Sequence, residues 1–155
     1  MDRAGIIIAQ GTEAGGHGGA RSTVPLVPVV VDMVASSGRD VPVVAAGGIT
    51  DVGGNGALIG TRFYVASKAL ASQGATARAV AASGNETLRT TVFDIARGDN
   101  WPKEYTGRAI RNRFAEAWHG REHALARDDA ERVRYADAAA RGDAATSPRV
   151  RRRRH

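Results

Sequence analysis

The stretch Gly5-Ile6-Ile7-Ile8-Ala9-Gln10-Gly11-Thr12-Glu13-Ala14-Gly15-Gly16-His17-Gly18-Gly19 decides how the chain is read. A short, continuous apolar run over residues 5–10 stops abruptly in a glycine-rich loop. Runs that are continuous rather than alternating suit strands covered on both faces. The loop would then leave the C-terminal end of a buried strand, where α/β proteins place their ligands. Glycines there let a ligand approach the backbone and present amide N–H groups to it. His17 brings an imidazole, the side-chain type suited to accepting a proton near neutral pH. The blander alternative is a plain glycine turn carrying an inert surface histidine.

Two further runs repeat the pattern. Residues 41–46 close in Gly47-Gly48, and Ala57-Leu58-Ile59 closes in Gly60-Thr61. In (β/α)8 barrels the loops after the last two strands commonly hold a phosphate through backbone amides, which these two strand ends match. Between the first two runs, Val27, Val30, Val31 and Val34 recur at helical spacing, with Thr23 as a candidate cap and Pro25 in the first turn. Strand, helix, strand points to parallel α/β architecture. The link over residues 49–56 is short for a parallel crossover, which normally takes a dozen or more residues. It leaves two geometries open: a parallel pair with no helix between, or a hairpin turning at Gly54-Asn55-Gly56.

Beyond Thr61 the composition shifts. An alanine-rich segment over 67–83 reads as helix, and Gly98, Asp99, Asn100 and Pro102 mark a loop. Ile110, Phe114 and Trp118 fall on one face of a helix over 107–118, followed by a second helix over 121–141. The expected organisation is a partial barrel segment over 1–66, a mostly helical appendage over 67–141 and a disordered arginine-rich tail over 142–155. The net charge is +6, but Arg149, Arg151, Arg152, Arg153 and Arg154 supply five of those charges, so the body is close to neutral. Without a stacking platform of aromatic residues, a nucleic-acid partner is not expected. No apolar run reaches membrane-spanning length, no leader pattern opens the chain, and there are no cysteines. A cytoplasmic location and no metal site are therefore expected.

The loop Gln10–Gly19 resembles the Gln-Gly-x-Glu-Ala-Gly-Gly-His-x-Gly signature of the nitronate monooxygenase (2-nitropropane dioxygenase) family. Ala45–Ile49, Leu58–Phe63, Thr87–Asp94, Trp101-Pro102 and Tyr105–Asn112 are similar to further segments of that family, in the same order. The resemblance implies part of a TIM-type (β/α)8 flavin barrel, about strands six to eight, with a helical second-domain segment. It implies FMN as cofactor and an alkyl nitronate and O2 as substrates. By residue, it makes His17 the catalytic base or substrate-polarising group, places Gln10 and Gly15 against the flavin, and gives the FMN phosphate to Gly47, Gly48, Leu58, Ile59, Gly60 and Thr61. The family's N-terminal half has no counterpart here, so a separate chain supplying it is one expectation, and inactivity of the chain alone is another. Related alternatives are an FMN-dependent enoyl-acyl-carrier-protein reductase, which shares the Glu13–His17 loop, an NAD(P)H:quinone reductase, and a non-catalytic remnant. Trp101-Pro102 and Gly107–Asn112 favour the monooxygenase group.

Overall fold

The computed structural model describes residues 5–49 and 55–142. The arginine-rich run therefore lies outside the described residues. The chain divides into two compact units, Met1–Gly60 and Thr61–His155.

In the first unit, β1 (Ile7–Gln10), β3 (Val43–Ala46) and β4 (Gly56–Leu58) form a three-stranded sheet in the order β1-β3-β4. Both pairings are parallel. A short strand β2 (Gly16–Gly18) lies inside the glycine loop, and helix α1 (Thr23–Ser36) links β1 to β3. The valine face read from the sequence is the face that packs. Val27 is fully buried with Ala9, Val43 and Ala45, and Leu26, Val30, Val31, Val34 and Ile49 pack around them. Small residues at 9 and 45 let the helix settle close to the sheet. Pro28 lies inside α1 and removes one intrahelical bond, which this burial offsets.

One expectation about α1 is corrected. Its N-cap is Ser22, not Thr23, and the Ser22 side chain makes no capping hydrogen bond. Thr23 is the first helical residue, and its hydroxyl is used elsewhere.

The short link resolves in favour of the parallel pair. Val44, Ala45 and Ala46 stand opposite Gly56, Ala57 and Leu58. Asn55 explains why a hairpin does not form. Its backbone N–H donates to Val43 O at 2.9 Å, and its side-chain Oδ1 accepts from Val43 N at 3.0 Å. The asparagine that could have turned a hairpin instead holds the start of β4 to β3 in parallel register. Residues 50–54 of the link lie outside the described residues.

The second unit mixes helices with an antiparallel strand pair. It contains α2 (Thr61–Tyr64), α3 (Gln73–Ala81), a 3-10 turn (Gly84–Glu86), β5 (Thr87–Thr90), α4 (Val92–Arg97), β6 (Thr106–Ile110), α5 (Arg113–Trp118), α6 (Glu122–Leu125) and α7 (Asp129–Ala140). The helix expected over 107–118 is corrected: residues up to Ile110 are strand, paired with β5, and Asn112 caps a shorter helix by accepting from Ala115 N at 2.8 Å. The helix expected over 121–141 is two helices. Asp128 accepts from Glu131 N at 2.9 Å and starts α7 afresh. The segment 67–72, expected as helix, precedes α3, which begins after Ser72.

The core of this unit is Leu88, Val92, Phe93, Ala96, Phe114, Ala115, Leu125 and Tyr135. Three rings meet in it, with Phe114 and Tyr135 centroids 4.6 Å apart and Phe93 and Phe114 6.3 Å apart. Leu125 is fully buried at the end of the four-residue α6, which has little else to hold it. Leu125→Ala should lower stability by about 2–5 kcal/mol, as large-to-small changes in a closed core do. Urea unfolding of the variant against the parent chain measures this.

Candidate functional site

The parallel registers set the geometry of the site. Gln10 stands opposite Ala46, and Ala46 opposite Leu58, so the three strands end abreast. The loops that begin at Gly11, Gly47 and Ile59 therefore leave one edge of the sheet.

The first loop folds back on the second through a set of hydrogen bonds. Gly11 N donates to Ala46 O at 3.0 Å, Thr12 N to Arg21 O at 2.8 Å, and Ala14 N to Gly11 O at 3.1 Å. Glu13 Oε2 accepts from Thr23 N at 2.9 Å and lies 2.7 Å from Thr23 Oγ1. The same hydroxyl lies 2.6 Å from Gly47 O. With Ala46 O at 3.4 Å it has three acceptors in reach and one proton to donate, so it serves one at a time, while the Thr23 N–H keeps Glu13 in place. Glu13 thus takes over the capping that Ser22 leaves undone, since a carboxylate is favoured at a helix N-terminus. Thr23, 1% exposed, is the point where loop, helix and strand end meet.

Two glycines are required by this closeness. A Cβ at Gly11 would sit 2.5 Å from Thr23 Cα. A Cβ at Gly47, whose φ is +96°, would sit 2.7 Å from the Ala14 Cβ. Gly48 follows with its own positive φ and the Glu13 side chain against it. The pair Gly47-Gly48 thus has a packing reason of its own, apart from any ligand.

The remaining expected site residues are placed as follows. Gln10 is half-buried at the end of β1, and its side-chain amide donates to the His17 backbone O at 2.6 Å, tying β2 back to the strand end. His17 is the middle residue of β2 and half-buried. Gly15 is exposed in the turn before β2, with nothing within 4 Å of an added Cβ, and Gly60 is equally open. Leu58 and Ile59 are 50% and 53% exposed at the end of β4. Thr61 is the exposed first residue of α2, in the second unit. Gln10, His17, Gly47 and Gly48 are therefore joined by direct hydrogen bonds or packing within one loop system. Gly15 lies in that loop, and Leu58–Gly60 are brought alongside by strand register.

Sequence reasoning missed the roles of Glu13 and Thr23. Glu13 was visible only as one letter of a motif, and its partner lies ten residues on, beyond the reach of local capping patterns. Among the described residues, no group of His, Asp and Glu could hold a metal ion, and no helix is long and apolar enough to cross a membrane.

A parallel sheet with three loops leaving one edge has the arrangement in which α/β proteins commonly place ligands. Residues 2–146 match the model of the family described as nitronate monooxygenase, and the chain belongs to that family. The nitronate monooxygenase npaC of Metarhizium robertsii is 35% identical over 158 aligned residues, covering 92% of this chain and 43% of that protein. A nitronate monooxygenase of Neurospora crassa is 38% identical over 129 residues, covering 72% of this chain and 34% of its own length. Among solved structures, FabK from Thermotoga maritima superposes with a TM-score of 0.66 at 24% identity, covering 94% of this chain and 46% of that one. That likeness is one of fold. The chain spans less than half the length of these relatives.

Glu13 gives the clasp a pH dependence. Partial burial pushes its carboxyl up, but hydrogen bonds from the Thr23 side chain and backbone, with smaller help from its own backbone N–H and from Ser22, bring it below the ordinary 4.5. A carboxyl lowered in the folded state stabilises above its unfolded value and loses that contribution as pH falls through the folded value. Glu13→Gln should therefore be less stable than the parent at neutral pH, and the gap should close as the pH drops below 4.5. Paired thermal melts across that range test it. A constant gap would leave the carboxylate charge out of the clasp.

Proposed function

We propose that this chain carries the FMN-binding edge and the proton-handling histidine of a flavin-dependent oxidase of alkyl nitronates that uses O2. The alignment of the ends of β1, β3 and β4 carries this reading, because it gathers the glycine loops and His17 at one edge. In the proposal these strands correspond to about strands six to eight of a (β/α)8 barrel, whose final loops hold phosphates.

The residues fit the cofactor. Gly60 and Gly15 leave open space where a side chain would stand, so a phosphate or ring system can come close to the backbone. Backbone amides at Gly47, Gly48, Leu58, Ile59, Gly60 and Thr61 would hold the FMN phosphate, and Gln10 and Gly15 would lie against the ring. FMN, when bound, supplies the electron acceptor that an amino-acid side chain cannot. His17 accepts a proton from the substrate or polarises it, and Gln10 holds the His17 backbone so that the imidazole is presented from a fixed strand.

A three-stranded sheet does not close into a barrel, so turnover is expected only when the remaining strands are present. The proposal is therefore tested in a chimera in which residues 5–142 replace the matching segment of the Metarhizium robertsii relative. Such a chimera should bind FMN and oxidise a nitronate in preference to an enoyl thioester or a quinone. Preference for either of those would move the chain to the reductase reading.

Two substitutions separate the roles. His17→Ala should cut nitronate turnover by about 10²–10⁴-fold while leaving FMN bound. Unchanged turnover in the flavin-loaded variant removes His17 from the mechanism. Gly60→Ala should weaken FMN binding by about tenfold or more through lost backbone approach, since hydrogen bonds to a charged group are each worth ~1.5–3 kcal/mol. Its melting temperature should not change, because no atom lies within 4 Å of the added methyl. Gly47 and Gly48 are poorer probes, because substitution there breaks the loop whether or not FMN binds. Normal flavin affinity in Gly60→Ala would count against a phosphate role for this loop.

A further inference from the structure

Asn55-Gly56 is the one Asn-Gly pair in the sequence. In such a pair the backbone nitrogen after the asparagine has no neighbouring side chain to shield it, because glycine has no Cβ. That nitrogen can attack the asparagine side-chain carbon and close a five-membered ring. Both residues are exposed here, as is the whole of β4. The asparagine is nonetheless held at two points by one residue of β3. Its backbone N–H donates to Val43 O at 2.9 Å, and its Oδ1 accepts from Val43 N at 3.0 Å. Gly56 is held as well, opposite Val44 in the parallel register. Ring closure needs the side chain and the Gly56 peptide to turn towards each other. With the side-chain oxygen on Val43 N and the peptide in the strand pair, neither turns while β4 stays on β3.

From this geometry we propose that Asn55 is a deamidation site gated by the docking of β4 on β3, and that its reaction prevents β4 from returning. Gly56 N forms a bond to Asn55 Cγ and gives up its proton to water. The Cγ–Nδ2 bond breaks, and the amide nitrogen leaves as ammonia. Water then opens the cyclic imide at either carbonyl, with nothing oxidised or reduced. One opening gives aspartate, which keeps an oxygen for Val43 N. The other gives isoaspartate, whose main chain runs through the former side chain and is longer by one carbon. An isoaspartyl link cannot keep both Val43 hydrogen bonds and the pairing of residues 56–58 with 44–46. β4 is suited to local opening, since it is short, lies on the rim of the sheet and buries none of its residues. Its loss takes Leu58 and the loop after it out of line with the ends of β1 and β3. The inference rests on the strand pairing and not on the flavin reading.

The full chain is incubated at mildly alkaline pH in buffer, in urea below its unfolding transition and in urea above it. Isoaspartate at Asn55 is followed by peptide mapping and mass spectrometry. Deamidation should be about tenfold or more slower in buffer than in the unfolded chain, because only the opened fraction reacts. It should rise with urea before circular dichroism reports global unfolding. Gly56→Ala shields the nitrogen and should slow the reaction in every condition, and its methyl meets only Val44 Cγ2 at 3.8 Å, an ordinary contact. Hydrogen exchange on the isoaspartyl chain should show the Val43 amide unprotected, whereas Asn55→Asp, which reproduces the other product, should keep it protected. Equal rates in the folded and unfolded chain, or no isoaspartate at Asn55 in either, would overturn the gated site. Protection of the Val43 amide that survives in the isoaspartyl chain would overturn the block on re-pairing.

Discussion

The hydroxyl of Thr23 lies within hydrogen-bonding distance of two oxygens from different parts of the chain, Glu13 Oε2 and the carbonyl of Gly47. Much of the first unit depends on that convergence. It brings the loop after β1, the first turn of α1 and the end of β3 to one place, and it does so with little space to spare. The glycines at 11 and 47 are consequences of it, since any side chain there would meet Thr23 or Ala14. The loop that presents His17 is then held at two ends, by the clasp on one side and by the Gln10 amide on the other. A side chain on such a loop has a defined position before any ligand arrives, which is what preorganisation of a site requires.

The second unit is built on a different principle. Its longest described helix is the twelve-residue α7, and several of the others are only four to six residues long. Such helices are marginal by themselves, and their persistence comes from the core they share. Phe93, Phe114 and Tyr135 come from α4, α5 and α7, so the ring cluster ties three short helices together. Caps at Asn112 and Asp128 set where two of them begin.

What could be read from the sequence follows from how local each signal was. The apolar runs of β1 and β3 and the valine stripe of α1 are patterns within ten or so residues, and they correspond to elements in place. The family signature located the glycine loop for the same reason. The ladder between β5 and β6 pairs Thr87 with Ile110 and Thr90 with Gly107, and nothing in either segment alone announces the other. Ile110, Phe114 and Trp118 fell at helical spacing by coincidence, because Ile110 ends a strand and Phe114 belongs to the helix that Asn112 starts. Asn112, a residue type favoured at helix N-caps, was the available hint of that break. At the site, the imidazole and the glycines were legible, whereas Glu13 as the cap of a helix starting ten residues later was not. Whether Asn55 turned the chain or belonged to a parallel pair stayed open, because its pairing with Val43 depends on a strand outside its own segment.

The order β1-β3-β4 leaves β1 at the rim of the sheet, with Ile6 and Ile8 each about half exposed. A rim strand offers unpaired amides and carbonyls to any other chain, and natural proteins guard such strands with charges, prolines or bulges. The segment Gly5–Gln10 has none of these, whereas β4 on the opposite rim is only three residues long and begins in glycine. Three consecutive isoleucines with strong strand preference and no charge have the composition of a self-associating segment. Where β1 lacks a neighbouring strand, its natural substitute is β1 of a second molecule. The colloidal behaviour of this protein in concentrated solution, and its tendency to form ordered aggregates on storage, would then be governed by the same six-residue segment that leads into the glycine loop.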